Sequence, residues 1–124
     1  MAAMRIPAGA DTKVILTIRD NLGNLIDLSA SNVIESKVEV CNEFTRLLFT
    51  ENPSSDERQL TIVDAANGKV SFVIDRKFTN KWQSKDFDIF ATVILDETGN
   101  ADYIDGKDYK KGKFQDKLII EESC

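Results

Sequence analysis

Histidine is absent from this 124-residue chain, and its absence removes much of the usual catalytic chemistry. Without imidazole the chain lacks the commonest general base, has no Ser-His or Cys-His nucleophile pair, and has no histidine ligand for zinc or copper. The two cysteines, Cys41 and Cys124, lie too far apart in the sequence for a CxxC motif, and the six glycines occur singly, without a phosphate-binding loop. We therefore predict a protein that is not an enzyme, with no catalytic, cofactor-binding or metal-binding residues.

Long apolar runs are missing as well. No window reaches the ~18 apolar residues that span a bilayer, and the N-terminus lacks the apolar core of a signal peptide. We expect a chain made in a reducing cytoplasm, with no membrane partner and with Cys41 and Cys124 as free thiols; a bridge between them is the alternative. Acidic residues outnumber basic ones by 21 to 16, and the net charge of -5 argues against nucleic acid as a partner.

What the sequence does contain is alternation of apolar and polar residues at the period of a β-strand. Turn residues separate the alternating runs, and an Asn67-Gly68 pair marks one hairpin. The run from Phe87 to Leu95 is the most β-prone and predicts a strand at the centre of a sheet. The predicted extended segments are residues 13–19, 25–28, 33–41, 44–50, 60–63, 69–75, 87–95 and 114–121, with a brief pairing at 101–104.

These short segments predict an all-β fold, a two-sheet β-sandwich of seven to eight antiparallel strands. Residues 76–85 break the alternation around Trp82 and predict one helical or 3₁₀ turn that crosses between the sheets. The length and the 42% hydrophobic content predict one domain, residues 1–124, with a single core. We expect short terminal arms, about 1–8 and 119–124, that extend from the sandwich.

Three groups of side chains are candidates for binding. Five carboxylates around two predicted turns have the hard oxygen ligands that Ca²⁺ prefers, but the stronger interpretation is a set of solvated loop residues: Asp96, Glu97, Asp102, Asp105 and Asp108. Trp82, Tyr103 and Tyr109 have rings that stack on sugars, whereas structural packing is the stronger interpretation. The basic segment from Lys110 to Lys117 indicates a solvated strand edge.

The turn residues carry a resemblance to a known family. Ile6-Pro7-Ala8-Gly9, an alternating strand, Asp20-Asn21-Leu22-Gly23-Asn24 and then Asp27-Leu28-Ser29-Ala30 follow one another in the order found in the immunoglobulin-like module of tailed-phage virion proteins. The N-terminal domain of baseplate upper proteins is one such module. Residues 60–64, 67–70, 87–96 and Gly99 resemble its later hairpin and its penultimate strand.

This resemblance implies an immunoglobulin-like β-sandwich without catalytic residues. It also implies a structural virion protein of a tailed bacteriophage, a ring or adaptor subunit of the tail, collar or baseplate. Its partners would be other virion proteins and copies of itself, and its location the virion. A glycan-binding or adhesin module is the alternative function, and a hydrolase is a third.

Overall fold

Ten strands form the framework of the computed structural model, which describes residues 4–20 and 22–122. In chain order they are β1 (Met4–Pro7), β2 (Thr12–Thr17), β3 (Val33–Cys41), β4 (Arg46–Thr50), β5 (Arg58–Gln59), β6 (Thr61–Asp64), β7 (Lys69–Ile74), β8 (Asp86–Asp96), β9 (Lys107–Lys113) and β10 (Leu118–Glu121). A 3₁₀ turn, Ala65–Asn67, and one short helix, α1 (Arg76–Lys81), lie between them.

The strands form two sheets, so the all-β prediction is confirmed. The larger sheet has the order β1-β10-β8-β3-β4-β5, with β9 also paired to β8, and the smaller sheet has the order β2-β7-β6. Phe49 of β4 and Phe72 of β7 meet between the sheets with their ring centroids 4.4 Å apart. Buried apolar side chains from both sheets join one hydrophobic cluster.

β8 lies at the centre of the larger sheet, as its sequence predicts. It pairs with β3 on one side and with β9 and β10 on the other, antiparallel to all three. Its alternate side chains Phe87, Ile89, Ala91 and Val93 face the core and are at most 5% exposed. Aromatic and β-branched residues fit such a doubly flanked, half-buried position well.

The terminal arms are the main correction to the predicted fold. β1 pairs in parallel with β10, and Ile6 is 5% and Ile120 0% exposed, so residues 4–8 and 119–121 belong to the sheet and the core. The prediction failed because neither terminus has a local partner. The two ends meet only in the folded chain, and apolar side chains at alternate positions then become buried. Residues 1–3, 123 and 124 of the predicted arms lie outside the described residues.

The strand inventory also differs from the prediction. The described residues contain ten strands, and two pairs, β1 with β10 and β4 with β5, are parallel. Residues 25–28 do not form a strand; Leu25 makes a single antiparallel bridge to Arg19, and β2 pairs with β7. Residues 101–104 form turns. β9 was predicted only in part, as a strand edge beginning at Lys110, because its lysine-rich sequence has no apolar alternation.

The predicted crossing helix is confirmed. α1 follows β7 of the smaller sheet and leads into β8 of the larger one. The Asp75 carboxylate caps it by accepting the Phe78 N–H at 2.9 Å. Buried Thr79 accepts the N–H of Gly9 at 3.0 Å, and Gly9 has φ +81°, which favours glycine. This hydrogen bond thus connects α1 to the N-terminal turn at one end of the sandwich.

Candidate functional site

The acidic turn, residues 96–105, begins at the last residue of β8, and two of its four carboxylates accept local N–H groups. Asp96 accepts the Thr98 N–H at 2.9 Å, and the Thr98 hydroxyl and N–H together lower the pKa of the Asp96 carboxyl. Asp105 accepts the Lys107 N–H at 3.1 Å. Within residues 4–20 and 22–122, no three His, Cys, Asp or Glu side chains cluster so as to hold a metal ion.

The three rings considered for sugar stacking do not share a surface. Trp82 lies just before β8, whereas Tyr103 lies in the acidic turn after it and Tyr109 lies in β9 opposite Ile94. An eleven-residue strand at about 3.3 Å per residue separates the two ends by roughly 30 Å. The negative charge of Asp108 beside Tyr103 raises the pKa of its hydroxyl. Trp82 therefore does not form one sugar-stacking platform with Tyr103 and Tyr109.

Trp82 instead packs beside Phe44, a residue that sequence analysis did not single out. Their ring centroids lie 6.2 Å apart with an interplanar angle of 19°, and Phe44 is 62% exposed. Lys81 Nζ lies 5.6 Å from the Trp82 ring, and Lys85 Nζ lies 5.7 Å from the Phe44 ring. Both distances fall within the range of cation–π attraction. We call these four residues, Phe44, Lys81, Trp82 and Lys85, the aromatic patch.

Backbone hydrogen bonds hold the aromatic patch in place. The Asn42 side chain accepts the N–H groups of Phe44 and Thr45 at 2.8 and 2.9 Å, which fixes the turn between β3 and β4. Ser84 has φ +62° and donates its N–H to the carbonyl of Ile120 at 2.8 Å, and the carbonyl of Lys85 accepts the Ile120 N–H at 3.0 Å. The segment that carries Trp82 and Lys85 is therefore anchored on β10.

An open cleft of about 370 Å³ lies next to the aromatic patch. Its walls are mostly polar and come from Asn42, Glu43, Phe44, Ser84, Lys85, Asp86, Phe87, Asp88 and Lys117. A second open cleft, of about 460 Å³, lies in the acidic turn and is lined in part by Thr98, Tyr103 and Ile104. Ile104 projects fully into solvent, with a relative exposure of 106%.

The basic segment is a strand edge, as predicted, for the part that lies in β9. No β9 side chain is buried, and β9 pairs only with β8. Lys110 contacts Asp108 at 3.1 Å, Lys113 contacts Asp88 at 3.5 Å, and Lys111 Nζ lies 5.0 Å from the Phe90 ring. These lysines have partners within the chain, and Leu118, which follows the segment, is buried in β10.

Cys41 lies half-buried on the outward side of β3. Burial is the largest influence on its thiol, the neighbouring Glu39 adds to it, and together they raise the pKa of Cys41. The thiol is therefore protonated at neutral pH and a poor nucleophile or metal ligand. The second cysteine, Cys124, lies outside the described residues, so the prediction of two free thiols stays a prediction.

The sequence gives little indication of the aromatic patch, because a phenylalanine that is exposed in a turn cannot be distinguished in the sequence from a phenylalanine in the core.

Among the residues that the structure describes, none of the helices has the length and apolar character of a membrane span. No known protein-family model matches the sequence. No curated protein shows significant similarity to it either.

Proposed function

We propose that this chain is a structural virion protein of a tailed bacteriophage, an immunoglobulin-like subunit of a tail, collar or baseplate ring or an adaptor between rings. The strand order supports the immunoglobulin-like part of the proposal. Such sandwiches place strands B, E and D in one sheet and C, F and G in the other. β2, β7 and β6 have the order of B, E and D, and β3, β8 and β10 have the order of C, F and G.

The observation that carries the assembly role is the set of large apolar side chains that remain exposed. A chain that acts through contacts with neighbours keeps such side chains on its surface, where they become buried on assembly. They lie on turns, at a strand end, on the outward side of the smaller sheet and on β9: Ile15, Leu22, Leu25, Ile34, Phe44, Val63, Val73, Ile104 and Tyr109.

Localisation in purified particles tests the proposal. We expect the chain to co-sediment with tailed virions from its native host culture and an antibody against it to label one tail substructure by immunogold microscopy. Intact virions that lack the chain, with the chain left in the soluble fraction, would contradict the proposal.

A glycan-binding module is the second candidate, because the exposed Phe44 ring borders the polar cleft with Asn42 and Asp86. Sugars stack on such rings and hydrogen-bond to such side chains. A glycan array separates the candidates: we expect no saturable binding, whereas binding that Phe44→Ala abolishes would favour the glycan module.

A further inference from the structure

We propose that the aromatic patch of one copy receives the acidic turn of the next copy, in a head-to-tail contact. This inference rests on the proposed assembly function and names the surfaces that would carry it. The patch precedes β8 and the acidic turn follows it, so the two surfaces lie at opposite ends of an eleven-residue strand. Roughly 30 Å separate them within one copy, so they can meet only between copies.

Opposite charges on the two surfaces identify the occupant. Residues 76–85 contain four basic side chains and no acidic one, whereas residues 96–105 contain four acidic side chains and no basic one. Arg76 already contacts Asp11, and Glu43, Asp86 and Asp88 border the patch, but Asp86 and Asp88 are paired with Lys117 and Lys113. Lys81 and Lys85 form no salt bridge with any described residue, and neither do the acidic-turn carboxylates Asp96, Glu97, Asp102 and Asp105. In a chain with a net charge of -5, general repulsion opposes self-association, and a local pairing of opposite charges orients the copies.

Apolar side chains lie at the centre of both surfaces. Ile104 projects fully from the acidic turn, and Phe44 is the exposed ring of the patch. A contact with an apolar centre and a charged rim is the usual anatomy of a protein interface. Because the two surfaces differ, the contact is heterologous; repeated from copy to copy it closes into a ring when the rotation per copy permits. The area on each side is small, so isolated pairs associate weakly.

Two complementary variants test the contact in the full chain. Phe44→Asp damages only the patch, and Ile104→Asp damages only the acidic turn. Circular dichroism melting curves should stay unchanged for Ile104→Asp, whereas Phe44→Asp should show a small decrease in melting temperature because it loses the stacking on Trp82. Sedimentation velocity from micromolar to millimolar concentration should show weak self-association of the wild type that decreases with added salt. Each variant alone should lose about tenfold or more in association constant.

The mixture of the two variants is the decisive measurement. Phe44→Asp keeps an intact acidic turn and Ile104→Asp keeps an intact patch, so an equimolar mixture should form a capped 1:1 dimer and nothing larger. Leu22→Asp, at another exposed loop position, serves as the matched control and should behave as the wild type.

Several outcomes would overturn the inference. The inference would be overturned if the wild type stayed monomeric at millimolar concentration. It would also be overturned if neither Phe44→Asp nor Ile104→Asp weakened self-association. Self-association that survives in Ile104→Asp but not in Phe44→Asp would indicate a symmetric patch-to-patch contact. Glycan binding lost in Phe44→Asp would assign the patch to a sugar. None of these results depends on whether the chain is found in virions, so failure here and failure of the proposed function remain distinguishable.

Discussion

β9 and β10 follow one another along the same edge of β8, yet they are held there in different ways. β10 buries Leu118 and Ile120 completely, whereas β9 has no buried side chain. A Cβ at Gly112 of β9 would meet no atom within 4 Å, so the core-facing side of β9 is open. Apolar alternation therefore identifies strands that cover a core. A strand held by backbone pairing and by exposed lysine contacts carries no such signal.

The largest expected effect concerns β8, on which both neighbours depend. Ile89→Asp would bury an unpaired carboxylate at a position that is 0% exposed, and we expect a loss of about 4 kcal/mol or more in unfolding free energy. Thr92→Asp is the matched control, because Thr92 faces outward opposite Lys111 of β9. Urea denaturation measures both; equal stabilities would show that the inward face of β8 is misassigned.

The second prediction compares the two neighbours directly. Ile120→Ala in β10 removes a fully buried side chain and should cost about 2–5 kcal/mol. Tyr109→Ala in β9 removes a side chain that is 53% exposed and should cost less than about 1 kcal/mol. Chemical denaturation of the two variants at one pH gives both values. A larger loss for Tyr109→Ala would mean that β9 covers core after all.

The third prediction contrasts a packed turn with an open one. A Cβ at Gly68 would lie 2.7 Å from the Ile26 carbonyl oxygen and 2.8 Å from that of Ile18, at φ +68°. Gly68→Ala should cost about 3 kcal/mol through clash and strain. Gly99 has φ +91° but no atom near a Cβ, so Gly99→Ala should cost only about 1–2 kcal/mol. Thermal melting distinguishes them, and equal shifts would refute the close approach at Gly68.

The smallest expected effect is a pH dependence of stability that differs between the helix cap Asp75 and the acidic turn. Partial burial of Asp75 favours its protonated form, but the hydrogen bonds from Phe78 and Arg58 outweigh this, and the pKa of Asp75 is lowered. A lowered pKa in the folded state contributes stability above the unfolded pKa, about 3.9, and this contribution is lost as the pH falls below it.

Asp75→Asn should therefore reduce the loss of stability on acidification below about pH 4. Asp96→Asn, in the fully solvated acidic turn, should reduce it less, although the pKa of Asp96 is lowered too. Urea midpoints measured between pH 2 and pH 7 check both variants. An acid-side slope that Asp75→Asn leaves unchanged would show that the helix cap does not contribute to acid sensitivity.

Local sequence determined much of the framework. β3 and β8 follow their predicted segments closely, because a half-buried strand leaves alternating apolar residues in the sequence. The Asn67-Gly68 hairpin followed from turn chemistry, since Gly68 adopts positive φ and links β6 to β7. The crossing helix followed from the break in alternation at residues 76–85.

Only the tertiary structure decided which distant segments meet. Three features depend on how β8 positions the segments before and after it. They are the parallel pairing of β1 with β10, the contact of Phe44 with Trp82 and the separation of Trp82 from both tyrosines. Local alternation reports whether a residue faces a core, but it does not report which strand becomes its neighbour. Backbone pairing uses groups that nearly every residue has. The sequence therefore determined core-covering strands such as β3 and β8 and their buried faces, and the folded chain determined their partners.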